Sequence, residues 1–263
     1  MSPTRRDRDN GHDQGPLCAV VLAAGAGVRL RPLTLLRPKP LCPVDNVALV
    51  DHAIARVAPF TAGDAIAVNV HHGRGAIAEH FAGTEVHLSV EDPEALGTAG
   101  ALGQLRGWIA GRAVLVVNAD TWCPASLAPL LDGWDGERIR VAVAGSDGFG
   151  PAARVAGAVM PWSAVEPLEP KPSGLYEVSW RRHAAEDRLD SVAVDGPCID
   201  CGTPARYLAA NLTASGGRPV IAPTAHVEGT VERSVLWGGA VVRPGERLVD
   251  AIRADGRLTV LVR

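Results

Sequence analysis

The chain has 263 residues, with 26 lysines and arginines against 29 aspartates and glutamates and a net charge of −3. Apolar residues make up 47% and charged ones 21%, a globular composition; the near-neutral balance excludes a general nucleic-acid binder, whose affinity rests on many cationic phosphate contacts. No apolar run reaches the ~18 residues of a membrane-spanning helix, and no apolar segment follows the charged N-terminus, so neither an anchor nor a signal peptide is read and a cytoplasmic protein is expected.

Residues 1–16 read as a disordered tail. From residue 17 short apolar runs alternate with helical stretches. Strands are predicted over 17–23, 64–70, 86–90, 113–117 and 139–143, and helices over 49–57, 75–81, 99–109 and 124–131. The first strand is continuously apolar, as strands covered on both faces are. Strands separated by helices imply βαβ units, a parallel sheet and an α/β fold. After Ser215 the texture changes: an aliphatic residue recurs roughly every six positions among small residues, the pattern of hexapeptide coils. The expected organisation is therefore the tail 1–16, a main domain 17–215 and a short coil region 216–263, used as a cap or dimer contact, with a plain β-hairpin tail as the alternative.

Five cysteines without an export signal are expected to be reduced, and the pair Cys198 and Cys201, spaced C-x-x-C, reads as two ordinary thiols. Among 26 basic residues only Lys39 and Lys171 are lysines. A lysine that persists against such bias marks a place for a compact ammonium, which the planar arginine fork does not replace. The histidines show no metal-ligand spacing.

In open α/β sheets ligands bind beyond the carboxyl ends of the strands. Three segments stand there. The loop after the first strand, residues 23–44, carries Gly25 and Gly27 followed by Arg29, Arg31, Arg37 and Lys39. Glycines let backbone N–H groups approach an anion, and the cations neutralise a polyphosphate, so the loop reads as a nucleoside triphosphate clamp or, failing that, a solvated basic loop. It completes neither a Walker A motif nor G-x-G-x-x-G, since Leu30 holds the third position. Asp120 follows a buried strand, poised either for Mg²⁺ or as a helix cap, and Asp200 precedes a helical stretch with the same two readings.

In this order the segments resemble the sugar nucleotidyltransferases. Residues 22–44 match nearly all of that family's opening signature, approximately LAAGxGTRLxPLTxxxPKPLxPV. Residues 96–102 (LGTAGAL) are similar to its base- and sugar-side loop, 118–120 to its first metal aspartate, and 199–211 to its second metal segment. The resemblance implies a Rossmann-like, mostly parallel α/β nucleotidyltransferase domain with a short C-terminal left-handed β-helix. It further implies that Leu22, Ala23, Ala24, Gly25, Gly27, Gly97 and Thr98 bind the nucleotide, that Arg29, Lys39 and Asp120 are catalytic, and that Asp120 and Asp200 hold Mg²⁺. The substrates would be a nucleoside triphosphate and a sugar-1-phosphate, with GDP-mannose formation the expected type, in a homodimer.

Two departures stand out. Val28 replaces the usual threonine, and the stretch 144–154, ahead of residues 156–161 that look like the remnant of the family's N-A-G-I-Y strand, is too short for the family's E-K-P segment, whose lysine binds the sugar phosphate. Lys171 sits in similar letters on the wrong side of residues 156–161. A transferase for a non-sugar phosphate, such as a cyclitol or aminoalcohol phosphate, and a catalytically silent regulatory relative are the rival readings.

Overall fold

The computed structural model describes residues 17–145, 148–255 and 258–262; the expected tail, 1–16, lies outside the described residues. Seven strands form the central sheet: β1 (Leu17–Leu22), β2 (Ile66–Val70), β3 (His87–Val90), β4 (Ala113–Asn118), β5 (Ile139–Ala144), β6 (Val155–Met160) and β7 (Leu189–Val194). Their spatial order is β7-β5-β6-β4-β1-β2-β3. All neighbours run parallel except β6, which opposes both β4 and β5. The α/β fold with a mostly parallel sheet, expected from sequence, is thus present.

Parallel partners flank β1 on both sides, and Cys18 through Val21 are fully buried, which is why this run is apolar without alternation. Ala19 and Val21 join Val50, Ala53 and Val57 of α1 (Leu49–Val57) on one face. Cys18 and Val20 join Leu102, Leu105 and Ile109 of α2 (Gly97–Ile109) on the other. The chain therefore leaves β1 over one face and reaches β4 over the opposite one, which opens a crevice at the carboxyl ends of these adjacent strands.

Several boundaries differ from those predicted. Helix α2 begins two residues before the predicted Ala99, so Gly97 and Thr98 form its first turn. The helix predicted over 124–131 shrinks to Ala128–Leu131, because Cys123 precedes a proline and the Ser126 hydroxyl accepts a hydrogen bond from Ala128 N, holding the segment in a turn. Strand β7 was not predicted; as an edge strand with only Val194 buried, it shows no clean alternation of apolar and polar positions. Residues 156–161, expected as a strand, form most of β6.

Beyond α3 (Pro204–Ala214) the chain forms short parallel ladders: Val220 lies beside Val235, which lies beside Ile252, while His226 pairs with Val241 and Thr230 with Arg247. Val235, Trp237 and Ile252 from these coils share a core with Leu30, Leu33, Tyr207 and Leu208. Tyr207 is the pin of this region: its fully buried hydroxyl donates to Pro43 O and accepts from Trp237 Nε1 at 2.9 Å. The neighbouring Asn211 accepts from Asp45 N at 3.1 Å, so α3 clamps the loop that follows β1.

A second buried network ties the strand ends together. Asn69, near the end of β2, accepts from Ala23 N and donates to Glu91 Oε1, both at 2.7 Å. Glu91 Oε2 accepts from Leu96 N at 2.7 Å, just before α2. Both side chains are buried, Glu91 completely, and their donors and acceptors are matched, which makes such a network affordable in a dry interior.

Glu91→Ala leaves the Asn69 amide and Leu96 N–H without partners, and Tyr207→Phe does the same to Trp237 Nε1 and the Pro43 carbonyl. Each is expected to destabilise the fold by about 1–3 kcal/mol, read as a lower urea midpoint at unchanged slope. Unshifted midpoints would remove these networks from the account.

Candidate active site

The loop leaving β1 is shaped by its buried anchors. Leu30 and Leu33 are fully buried in the core shared with the C-terminal coils, so the turns carrying them are fixed while Val28 and Arg29 face outward. Gly27 adopts φ +62°, and a Cβ there would lie 2.8 Å from Thr34 Cγ2 and 3.0 Å from Lys39 Cβ. Thr34 Oγ1 donates to Gly27 O at 2.9 Å, closing the turn. Only glycine meets both demands.

This loop walls a cavity of about 480 Å³. Leu22, Ala23, Ala24, Gly25, Gly27, Arg29, Lys39, Gly97, Thr98 and Asp120, all expected at the site, line it. Gly97, at φ +69°, lets the start of α2 press against the chain at Ser173: a Cβ would meet Ser173 O at 2.6 Å, and Ala99 N donates to that oxygen at 3.0 Å. Thr98 Oγ1 accepts from Leu175 N at 2.8 Å. A second cavity, about 700 Å³, shares Leu22, Arg29, Thr98, Asn118 and Asp120 with the first and is lined further by Asp200, Arg206 and Arg154.

Lys39 lines the first cavity beside the shared Asp120. Its side chain is only 6% exposed, and its ammonium lies 2.9 Å from Asp120 Oδ2 and 3.2 Å from Asp200 Oδ1. The aspartates converge because Thr121 and Trp122 pair antiparallel with Asp200 and Ile199, and Cys201 N donates to Asp120 O at 2.9 Å. Arg206 and Arg29 reach Asp200 Oδ2 at 3.2 and 3.6 Å. Three cations thus face two carboxylates, a surplus of positive charge suited to anionic substrates. Neither aspartate is a helix cap: after Asp120 the chain enters a short strand, and Thr203 caps α3, accepting from Arg206 N. Among the described residues no cluster of three or more His, Cys, Asp or Glu side chains could hold a metal. Two partly exposed carboxylates converging on one cation do fit Mg²⁺, which takes one or two protein carboxylates and completes its shell with phosphate oxygens and water.

Not every expected cation is here. Arg37 lies over the Trp237 ring at 5.0 Å and, with Arg31, lines a neighbouring hollow, so the four-cation clamp read from sequence contributes only Arg29 and Lys39. Lys171 pairs on the surface with Glu169 at 2.6 Å and lines neither cavity. Cys198 and Cys201 point into different cores. The partner of Cys198 is Cys123, the next pair along the Thr121–Trp122 ladder; their hydrogen bond holds the Cys123 thiol below its ordinary range and, with burial, pushes Cys198 up. Sequence reasoning missed Asn69 and Glu91, whose only signal is polarity at the ends of apolar strands. It also missed Arg154 and Arg206, which tertiary packing alone brings to the second cavity.

Residues 18–144 match the family model described as Nucleotidyl transferase. The chain is 31% identical over 234 residues, 75% of its length and 96% of the relative's, to the N-acetylmuramate alpha-1-phosphate uridylyltransferase of Caulobacter vibrioides. It is 34% identical over 117 residues to the mannose-1-phosphate guanylyltransferase of Mycobacterium tuberculosis, spanning 43% of this chain and 33% of that protein. Among solved structures, a mannose-1-phosphate geranyltransferase from Thermus thermophilus shares the fold at TM-score 0.67 and 18% identity, over 94% of this chain and 95% of its own. A putative glucose-1-phosphate thymidylyltransferase from Bacillus anthracis does so at 0.63 and 19%, over 75% and 95%. With the loop, the paired aspartates and a relative matched over nearly its whole length, the chain belongs to the sugar nucleotidyltransferase family and is an enzyme of that kind.

Proposed function

We propose that the protein is a Mg²⁺-dependent transferase that converts a nucleoside triphosphate and a sugar-1-phosphate into a nucleoside-diphosphate sugar and pyrophosphate. The observation that carries this reading is the buried Lys39 ammonium, in the cavity walled by the glycine loop, held between Asp120, which lines both cavities, and Asp200, which lines the second. Backbone N–H groups around Gly25 and Gly27 bind the triphosphate in the first cavity. Arg29 neutralises the β,γ-pyrophosphate and Lys39 the α-phosphate. The sugar phosphate occupies the second cavity and an oxygen of its phosphate attacks the α-phosphorus: one P–O bond forms, the bond to the β-phosphate oxygen breaks, and pyrophosphate leaves opposite. Asp120 and Asp200 would hold Mg²⁺, which when bound neutralises phosphate oxygen charge. The protein's part is positioning and charge neutralisation, which is most of what phosphoryl-type transfer requires.

For the substrates we favour uridylyl transfer to an N-acetylmuramate 1-phosphate type of acceptor, since the relative matched over 96% of its length carries that activity. GDP-mannose formation, the type the family resemblance implies, is the second reading and draws on the Mycobacterium relative. A silent regulatory protein would have little use for the retained Lys39, Asp120 and Asp200 cluster. We assign residues 17–215 to catalysis and 216–263 to coils of left-handed sense that serve a homodimer, in the cytoplasm.

The test is pyrophosphate release across the nucleoside triphosphates and a panel of sugar-1-phosphates and cyclitol phosphates. Asp120→Asn and Asp200→Asn are each expected to lower the rate on the order of 10²–10³-fold with the circular dichroism spectrum unchanged, and chelation of divalent metal to abolish it. Near-normal rates in both variants would refute the metal assignment. Lys39→Ala is expected to lose activity to a similar degree, whereas Lys171→Ala, altering only an exposed pair, keeps the wild-type rate.

A further inference from the structure

On the function proposed above, the second cavity receives the anionic sugar phosphate. Besides Arg29 and Arg206, both engaged with Asp200, it is lined by Arg154 at the threshold of β6. Among the described residues the Arg154 side chain has no hydrogen-bond or ion-pair partner, although Glu177, Asp120 and Asp200 line the same cavity. Its position is nonetheless built. Gly145, at φ +91°, leaves the room it occupies, since a Cβ there would lie 2.7 Å from Arg154 Nη2. Ala144 N donates to Arg154 O at 2.9 Å, and its charge is felt at Cys198 on the cavity wall. Nearby, Phe149 packs on the cavity residues Tyr176 and Trp180 with ring centroids at 5.9 and 6.2 Å, which fixes the segment leading to Arg154.

Neither lysine serves this cavity, since Lys39 is committed to the two aspartates and Lys171 to Glu169 on the surface. An uncommitted guanidinium is the group that binds a phosphate or carboxylate in a two-pronged, directional way. We propose that Arg154 is the specificity-determining anchor of the acceptor, binding an anionic group of the sugar phosphate, either its phosphate or a carboxylate substituent. This rests on the function proposed above.

The experiment compares wild type, Arg154→Ala and Arg154→Lys with two acceptors that differ by one carboxylate, N-acetylmuramate 1-phosphate and N-acetylglucosamine 1-phosphate. The expected result is an acceptor KM raised roughly 10- to 100-fold in Arg154→Ala, partly restored in Arg154→Lys, with the nucleoside triphosphate KM unchanged. An increase for both acceptors places the phosphate on Arg154; an increase confined to the first places the carboxylate there. An unchanged acceptor KM for both in an active enzyme overturns the proposal. Calorimetric titration of the same two sugar phosphates reads the subsite without turnover. Binding lost in Arg154→Ala, in a wild type that turns over neither acceptor, upholds the anchor and defeats the proposed reaction alone. Equal affinity in both proteins, or none in the wild type, defeats the anchor.

Discussion

A single ammonium group organises this molecule. Lys39 is separated by 81 residues from Asp120 and by 161 from Asp200, yet its nitrogen contacts both carboxylates from a side chain that is almost wholly buried. Burying a charge is costly unless it is paired, and pairing it to two partners requires that three distant segments be held in place at once. The rest of the fold supplies that constraint. The loop bearing Lys39 is anchored by Leu30 and Leu33, the Asp120 segment emerges from β4, and the Asp200 segment is stitched to it by a two-residue antiparallel ladder.

The supports differ in kind. On the C-terminal side, Tyr207 and Asn211 of α3 hydrogen-bond to the loop at Pro43 and Asp45, and the coils pack Trp237 beneath them, so the terminal region buttresses the site through a shared apolar core. On the opposite side the buried Asn69 and Glu91 pair joins the exits of β1 and β2 to the start of α2. The first side is apolar packing with a few pins; the second is a fully matched polar network. The glycine loop lies between them, with Val28 and Arg29 facing outward.

The cavities follow from this arrangement. They share Leu22, Arg29, Thr98, Asn118 and Asp120 as walls, so the two hollows adjoin beside Asp120, with Asp200 lining the second alone. Their walls divide the cations: Arg29 and Lys39 face the first, while Arg29, Arg154 and Arg206 face the second.

Much of this was legible in the sequence, for a physical reason. Elements that report through local chemistry, such as the doubly covered β1, the amphipathic α1 and the glycine loop with its cations, carry their signal in contiguous residues. Asp120 was readable because it follows directly on a buried strand, and Asp200 because it stands just before a helical stretch. What depends on pairing between distant segments was not. Strand β7 has little apolar patterning, because an edge strand buries little. The direction of Arg31, Arg37 and Lys171 away from the site, the partnership of Cys198 with Cys123 rather than Cys201, and the arrival of Arg154 in the second cavity are set by which surfaces pack together. The sequence by itself determined the α/β class, the glycine loop with its cations and the acidic pair; only the tertiary structure decided which charges meet, because an ion pair between residues this far apart exists only once the core has brought their backbones within reach.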